Sequence, residues 1–185
     1  MQKSKRKSAA LRISVMCALL AAMSIVLGKF LAINLGEVLR LSFENLPIIF
    51  AGAAFGPLAG VLVGTLADLL GCLMVGYAIN PLVTLGAAAV GAMAGIYSLF
   101  SKMTGGVSRF LRVALTVLFA HLVGSVLIKT AGLSAFYAMP YYALLLWRAL
   151  NYLIVGSLEF AVLSVLLCNG QIRALIDRMK GGAGA

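Results

Sequence analysis

Residues 39–75 read LRLSFENLPIIFAGAAFGPLAGVLVGTLADLLGCLMV, and two apolar runs flank the dipeptide Gly56-Pro57 within them. The pattern predicts a helical hairpin inside a membrane, its first helix from Phe43 to about Ala54 and its second from Pro57 to about Met74. Proline at a first helical position gives up an N–H that would have no partner within the helix. Gly60, Gly64, Asp68 and Cys72 fall four residues apart, on one stripe of the second helix. Small residues at that spacing let another helix approach closely. An acid on the same stripe is costly inside a bilayer, and its first reading is functional.

Composition agrees. Of the 185 residues, 63% are hydrophobic, whereas soluble domains are nearer half apolar. The net charge of +10 is no nucleic-acid footprint, because 11 of the 15 basic residues sit where loops would meet a membrane. Five lie in residues 1–12, three (Lys102, Arg109, Arg112) between two later apolar runs, and three (Arg173, Arg178, Lys180) in the tail. Basic loops mark the cytoplasmic side. Cys17, Cys72 and Cys168 lie in apolar runs without metal-ligand spacing and read as packing residues.

The expected architecture is all-α and integral to the membrane: six transmembrane helices with both termini cytoplasmic. Residues 1–10 form a basic cytoplasmic leader, 11–168 the membrane domain and 169–185 a basic cytoplasmic tail. The first helix should run from about Leu11 to Ile33, the fourth from Pro81 to about Phe100, the fifth from about Phe110 to Thr130 and the sixth from about Ala143 to Cys168. Outer loops are expected at 34–42, 75–80 and 131–142. Ser14, Ala18 and Ala22 make a small-residue stripe on the first helix, suited either to packing within the chain or to docking another subunit. Ser42 could cap the second helix, with Glu44 either an acid that the helix dipole favours in the first turn or a ligand contact.

Polar and aromatic residues that do not suit lipid gather at the outer helix ends. Tyr77, Tyr137, Tyr141, Tyr142, Tyr152 and Trp147 are there, with Lys29, Arg40, Lys129 and Arg148. A plain aromatic belt would populate the inner side as well; few aromatics do so here, which favours a cavity. Its cations (Lys129, Arg148, Arg40), acids (Asp68, Glu159) and amides (Asn80, Asn151) suit a small ligand with a carboxylate at one end and a flat, hydrogen-bonding ring at the other. Arginine can grip a carboxylate through two parallel hydrogen bonds. Arg148 and Glu159 are about three turns apart on one helix, roughly 16 Å, too far to pair directly. Asp68 could instead pair with Arg148 or Lys129. His121 reads as a hydrogen-bonded core residue.

No phosphate-binding glycine loop, metal cluster or nucleophile–base motif is recognisable. Neither catalysis nor a resident cofactor is expected, nor ATP hydrolysis by this chain. Matching halves with broken helices, common in secondary transporters, are not evident. A binding protein that needs a partner to move its ligand fits these gaps.

From about Ala10 to Cys168 the chain resembles the substrate-binding S components of energy-coupling-factor (ECF) vitamin transporters. The resemblance rests on ALLAAMSIVLGKFLAI, on the F-G-P-x-x-G-x-x-x-G-x-x-x-D-x-x-G core (Phe55, Gly56, Pro57, Gly60, Gly64, Asp68, Gly71), and on HLVGSVLIKTAGL and YAMPYYALLLWRALNYLIVGSLEF. The W-R (Trp147-Arg148) and Y-x-x-P-Y (Tyr137 to Tyr141) pieces point to the folate-type branch. The resemblance implies a six-helix bundle in a bacterial plasma membrane, a folate-like vitamin held near the outer face, and a complex with a transmembrane coupling subunit and two ATP-binding-cassette ATPases. Ala18 and Ala22 would contact the coupling subunit, and the three outer loops would close over the vitamin. The whole component would tip in the membrane to deliver it. A pterin ring would suit Asp68 or Glu159 and stacking tyrosines; a glutamate tail would suit Lys129, Arg148 or Arg40. Other readings are an S component for another vitamin or small aromatic metabolite, a ligand-free assembly subunit, and a self-sufficient transporter.

Overall fold

The computed structural model describes residues 2–35, 39–103 and 108–181, with the side chains of all but residues 2–6, 34–40, 100–103 and 137. Five helical segments are long and apolar enough to cross a membrane: Lys7–Phe30, Pro57–Val75, Pro81–Leu99, Arg109–Phe136 and Tyr141–Cys168. The sixth expected helix, α2 (Asn45–Phe55), has 11 residues. At 1.5 Å per residue it is about 16 Å long, near half the hydrocarbon thickness.

Helix α1 runs Gln2–Ile25 and continues as a π-helical turn, Val26–Phe30. The basic leader is therefore its first turns, and the helix ends short of the expected Ile33. The stretch expected as the first outer loop is a small antiparallel hairpin, β1 (Ile33–Leu35) on β2 (Leu39–Leu41), with Asn34 opposite Arg40. Helix α2 follows, then α3 (Pro57–Val75) and α4 (Pro81–Met103). Gly56 joins α2 to α3 at φ +105°, a backbone conformation that glycine adopts without strain. Most of the inner loop between α4 and the next helix lies outside the described residues.

Helix α5 (Arg109–Ala120) passes into a π-helical segment, His121–Ile128, and on into α6 (Lys129–Tyr137). The 131–142 loop is thus mostly helix, a correction. Gly132 does not break the helix, because it is the point where α6 touches α4: a Cβ there would lie 2.8 Å from Leu82 Cβ and 3.1 Å from the Val83 nitrogen. The turn comes at Ala138, in the left-handed region, before Pro140. Helix α7 spans Tyr141–Cys168, and the tail forms α8 (Gly170–Met179). Its apolar Ile176 and Met179 are buried while Arg173 and Arg178 are exposed.

Glycine holds the centre together. A Cβ on Gly52 or Gly60 would strike the backbone of Gly91, one on Gly64 the Ala87 carbonyl, and one on Gly95 the backbone of Pro57. The α2–α3 hairpin therefore meets α4 backbone to backbone. Across α4, a Cβ on Gly86 would lie 2.9 Å from the Gly124 oxygen, so the π-helical segment is seated just as closely. Around this seam Ile48, Ile49, Val63, Val90 and Leu163 are almost fully buried.

Candidate functional site

The two ends of the bundle differ. One carries the β1–β2 hairpin, the end of α3 and the α6–α7 turn; the other carries the starts of α1 and α5 and helix α8. Polar side chains gather beneath the hairpin end, where the short α2 begins. The Lys129 ammonium donates to Glu44 Oε1 at 2.8 Å and to Asn45 Oδ1 at 3.4 Å. Asn45 Nδ2 donates to Ser125 Oγ at 3.2 Å, which lies 3.4 Å from His121 Nδ1. His121 Nε2 meets Glu159 Oε2 at 2.5 Å.

One set of donor roles satisfies the whole line. His121 Nε2–H donates to the carboxylate, Nδ1 accepts from the Ser125 hydroxyl, and that oxygen accepts from Asn45. Asn45, Ser125 and Glu159 have no exposed surface. Buried polar groups are expensive unless bonded, and this chain of bonds links them from α2 through the π-helical segment to α7, leaving one carboxylate oxygen over. Glu159 Oε1 has no hydrogen-bond partner among the described residues.

Arg148 reaches the same place from α7. Its Nε and Nη2 both donate to the Ser125 carbonyl, at 3.2 and 3.1 Å, and Nη2 also lies 3.3 Å from the Tyr152 hydroxyl. Tyr152 stacks on His121 with ring centroids 4.8 Å apart. On the opposite side Asp68 Oδ2 accepts from the Thr84 hydroxyl at 2.6 Å, and the Lys29 ammonium sits 5.6 Å from the centre of the Tyr77 ring. Between these groups is a void of about 10 Å³ lined by Lys29, Glu44, Asp68 and Lys129.

The sequence-predicted residues thus divide. Lys129, Arg148, Asp68 and Tyr152 converge near the void or its polar wall. Glu159 belongs to the wall, sequestered behind His121. Asp68 has Thr84 as its hydrogen-bond partner, and the acid held by Lys129 is Glu44. Asn80 is committed elsewhere, donating to the Gly132 carbonyl and accepting from the Leu82 N–H. Tyr141 is half-buried and Asn151 partly buried, while Tyr77 and Trp147 are about half exposed. The Arg40 side chain lies outside the described residues. Ser14, Ala18 and Ala22 all face outward from α1. Sequence reading left Glu44 between a first-turn acid and a ligand contact, and omitted Asn45. The available signal was two adjacent polar residues opening an otherwise apolar helix.

Fold and site define a multi-pass helical membrane protein with charged groups held inside one end of the bundle. Residues 12–174 match the family model described as "ECF transporter, substrate-specific component". The chain belongs to this family, whose members are transport components rather than enzymes. Among solved structures, "Crystal structure of FolT bound with folic acid" is similar at a TM-score of 0.65 and 24% identity, covering 83% of this chain and 90% of that one. Comparison with curated protein sequences gives no match.

Proposed function

We propose that this chain is the folate-binding S component of an ATP-driven ECF importer in a bacterial plasma membrane. The observation that carries the reading is the convergence of Lys29, Lys129 and Arg148 with Glu44, Asp68 and Tyr152 at one end of the bundle. The fold shared with a folate-bound protein supports it. Arg148 and Lys129 take the two carboxylates of the glutamate tail. Asp68, braced by Thr84, accepts from the amino–amide edge of the pterin, and Tyr77, Tyr141 and Trp147 supply flat surface. Glu159 acts through His121 as a positioning group, with Asn151 beside it. Arg40 and Asn80 belong to the rim.

The void of about 10 Å³ has room for about one water. Folate entry therefore requires the β1–β2 hairpin and the α6–α7 turn to move aside. The hairpin end faces outward, since all 11 basic residues outside the apolar core belong to the opposite end; six membrane passages, with α2 as a half-length one, then put both termini in the cytoplasm. The outward-facing Ser14, Ala18 and Ala22 dock the transmembrane coupling subunit, and two partner ATPases hydrolyse ATP.

The test is quenching of Trp147, the one indole, by folate added to the purified chain, with pantothenate, thiamine and riboflavin as competitors. Saturable folate binding that Arg148→Ala weakens at least tenfold is expected. Binding that survives the substitution moves the anchor to Lys129 or Arg40. Binding of another vitamin instead sinks the folate assignment, and binding of none points to a ligand-free assembly subunit.

A further inference from the structure

A second polar site lies at the other end of the bundle. A cleft of about 210 Å³ opens between the end of α2, the start of α5, the end of α7 and helix α8. Its walls carry Arg109, Arg112, Arg173 and Lys180 against a single acid, Asp177. Arg109 and Arg112 open α5, Arg173 lies on α8 and Lys180 just past its end, so segments far apart in sequence meet here through folding. The cleft floor is apolar, with Val113 and Leu167.

The hydroxyls in the cleft are already engaged. Ser98 donates to the Ala53 carbonyl at 3.0 Å, and Thr116 donates to the Arg112 carbonyl at 2.7 Å. The nearby helix starts are capped internally too: Ser108 accepts from Leu111 N–H and Asn169 from Gln171 N–H. Attraction for a ligand is then electrostatic, and the guanidinium groups of Arg109 and Arg173 suit a phosphate. Pockets for drug-sized molecules run from roughly 300 Å³ upward, so the cleft suits a compact group.

We propose that this cleft binds the phosphate headgroup of an anionic phospholipid. Free phosphate offers the same chemistry, but the placement favours lipid. The apolar span of α5 begins at Arg109 and that of α7 ends at Cys168, so the cleft sits where hydrocarbon gives way to headgroups. Helix α8 packs Ile176 and Met179 against the bundle and leaves Arg173 and Arg178 exposed, so its basic side chains stand at that same level. The apolar floor gives the start of an acyl chain a dry contact. Basic pockets between transmembrane helices are a recurrent way of holding such headgroups.

The experiment uses the full chain in detergent, titrated with phosphatidylglycerol, phosphatidylcholine or inorganic phosphate. Thermal unfolding and native mass spectrometry are the readouts. Phosphatidylglycerol should raise the unfolding midpoint and remain bound in the spectra, and phosphatidylcholine should do neither. Arg109→Gln/Arg173→Gln should weaken phosphatidylglycerol retention roughly tenfold or more, while Lys7→Gln/Arg178→Gln, with the same loss of charge at exposed cations that do not line the cleft, should retain it. Equal losses in both variants would reduce the effect to general charge and overturn the site. Stabilisation by inorganic phosphate equal to that by phosphatidylglycerol would overturn the lipid assignment. If the double variant does not fold, single Arg173→Gln on the exposed face of α8 is read by retained lipid alone, and unchanged retention overturns the proposal. None of these readouts involves folate.

Discussion

The Lys129 side chain keeps 4% of its surface, whereas the Glu44 carboxylate that holds it keeps 28%. The two ends of this ion pair are therefore not equivalent. Glu44→Leu strands an ammonium away from water, with Asn45 Oδ1 as a weak substitute at 3.4 Å. Breaking a buried pair in this way costs about 3–5 kcal/mol. Lys129→Met leaves a carboxylate that water can still reach, and the loss should be smaller, about 1 kcal/mol in the range of exposed pairs. Thermal unfolding of the two purified variants tests the order; equal losses would contradict the asymmetric burial. His121→Phe should be severe for a related reason, since it takes a partner from fully buried Glu159. Loss of a hydrogen-bond partner there costs at least about 1–3 kcal/mol, and Glu159→Gln in the same background should recover part of it.

At the level of elements, the glycine seam between α2, α3 and α4 makes a sharp forecast. Gly91→Ala puts a methyl group into the backbone of Gly60, an overpacking expected to cost about 1–3 kcal/mol. Gly170→Ala, where a Cβ meets nothing within 4 Å, should leave the unfolding midpoint within the error of the wild type. The hairpin around Gly56-Pro57 was legible because both its signals are local: a residue free to adopt positive φ and a proline that starts a helix. The end of α6 was not. Gly132 and the aromatic run after it look like a loop until α4 is in place to receive the glycine. The π-helical segment at His121–Ile128 has no distinctive composition either; it is fixed by contact with Gly86 and by Arg148 on the Ser125 carbonyl. The same holds for the site. Lys129, Arg148 and Asp68 stood out because charge in an apolar run is conspicuous, while Glu44 and Asn45 stood at a helix start, where polar residues are ordinary.

For the whole molecule, the exposure of Ser14, Ala18 and Ala22 lets the proposed binding and docking roles be tested apart. Ala18→Leu/Ala22→Leu should leave folate quenching of the isolated chain unchanged, since both residues lie on the surface away from Lys129 and Arg148. Co-purification with the coupling subunit should fall sharply. Loss of folate binding in that variant would mean that the stripe supports the fold. The short α2 has a consequence of another kind. Asn45 begins a helix of about 16 Å whose end, at Ala53 and Ala54, lines the basic cleft of the opposite end, so on the proposed function the floor of the vitamin site would stand well inside a hydrocarbon slab about 30 Å thick. A solute resting there would have made part of the crossing before any energy is spent. The dielectric barrier left ahead of it would then be the thinner part of the slab, and only that part would fall to the proposed energy-driven step.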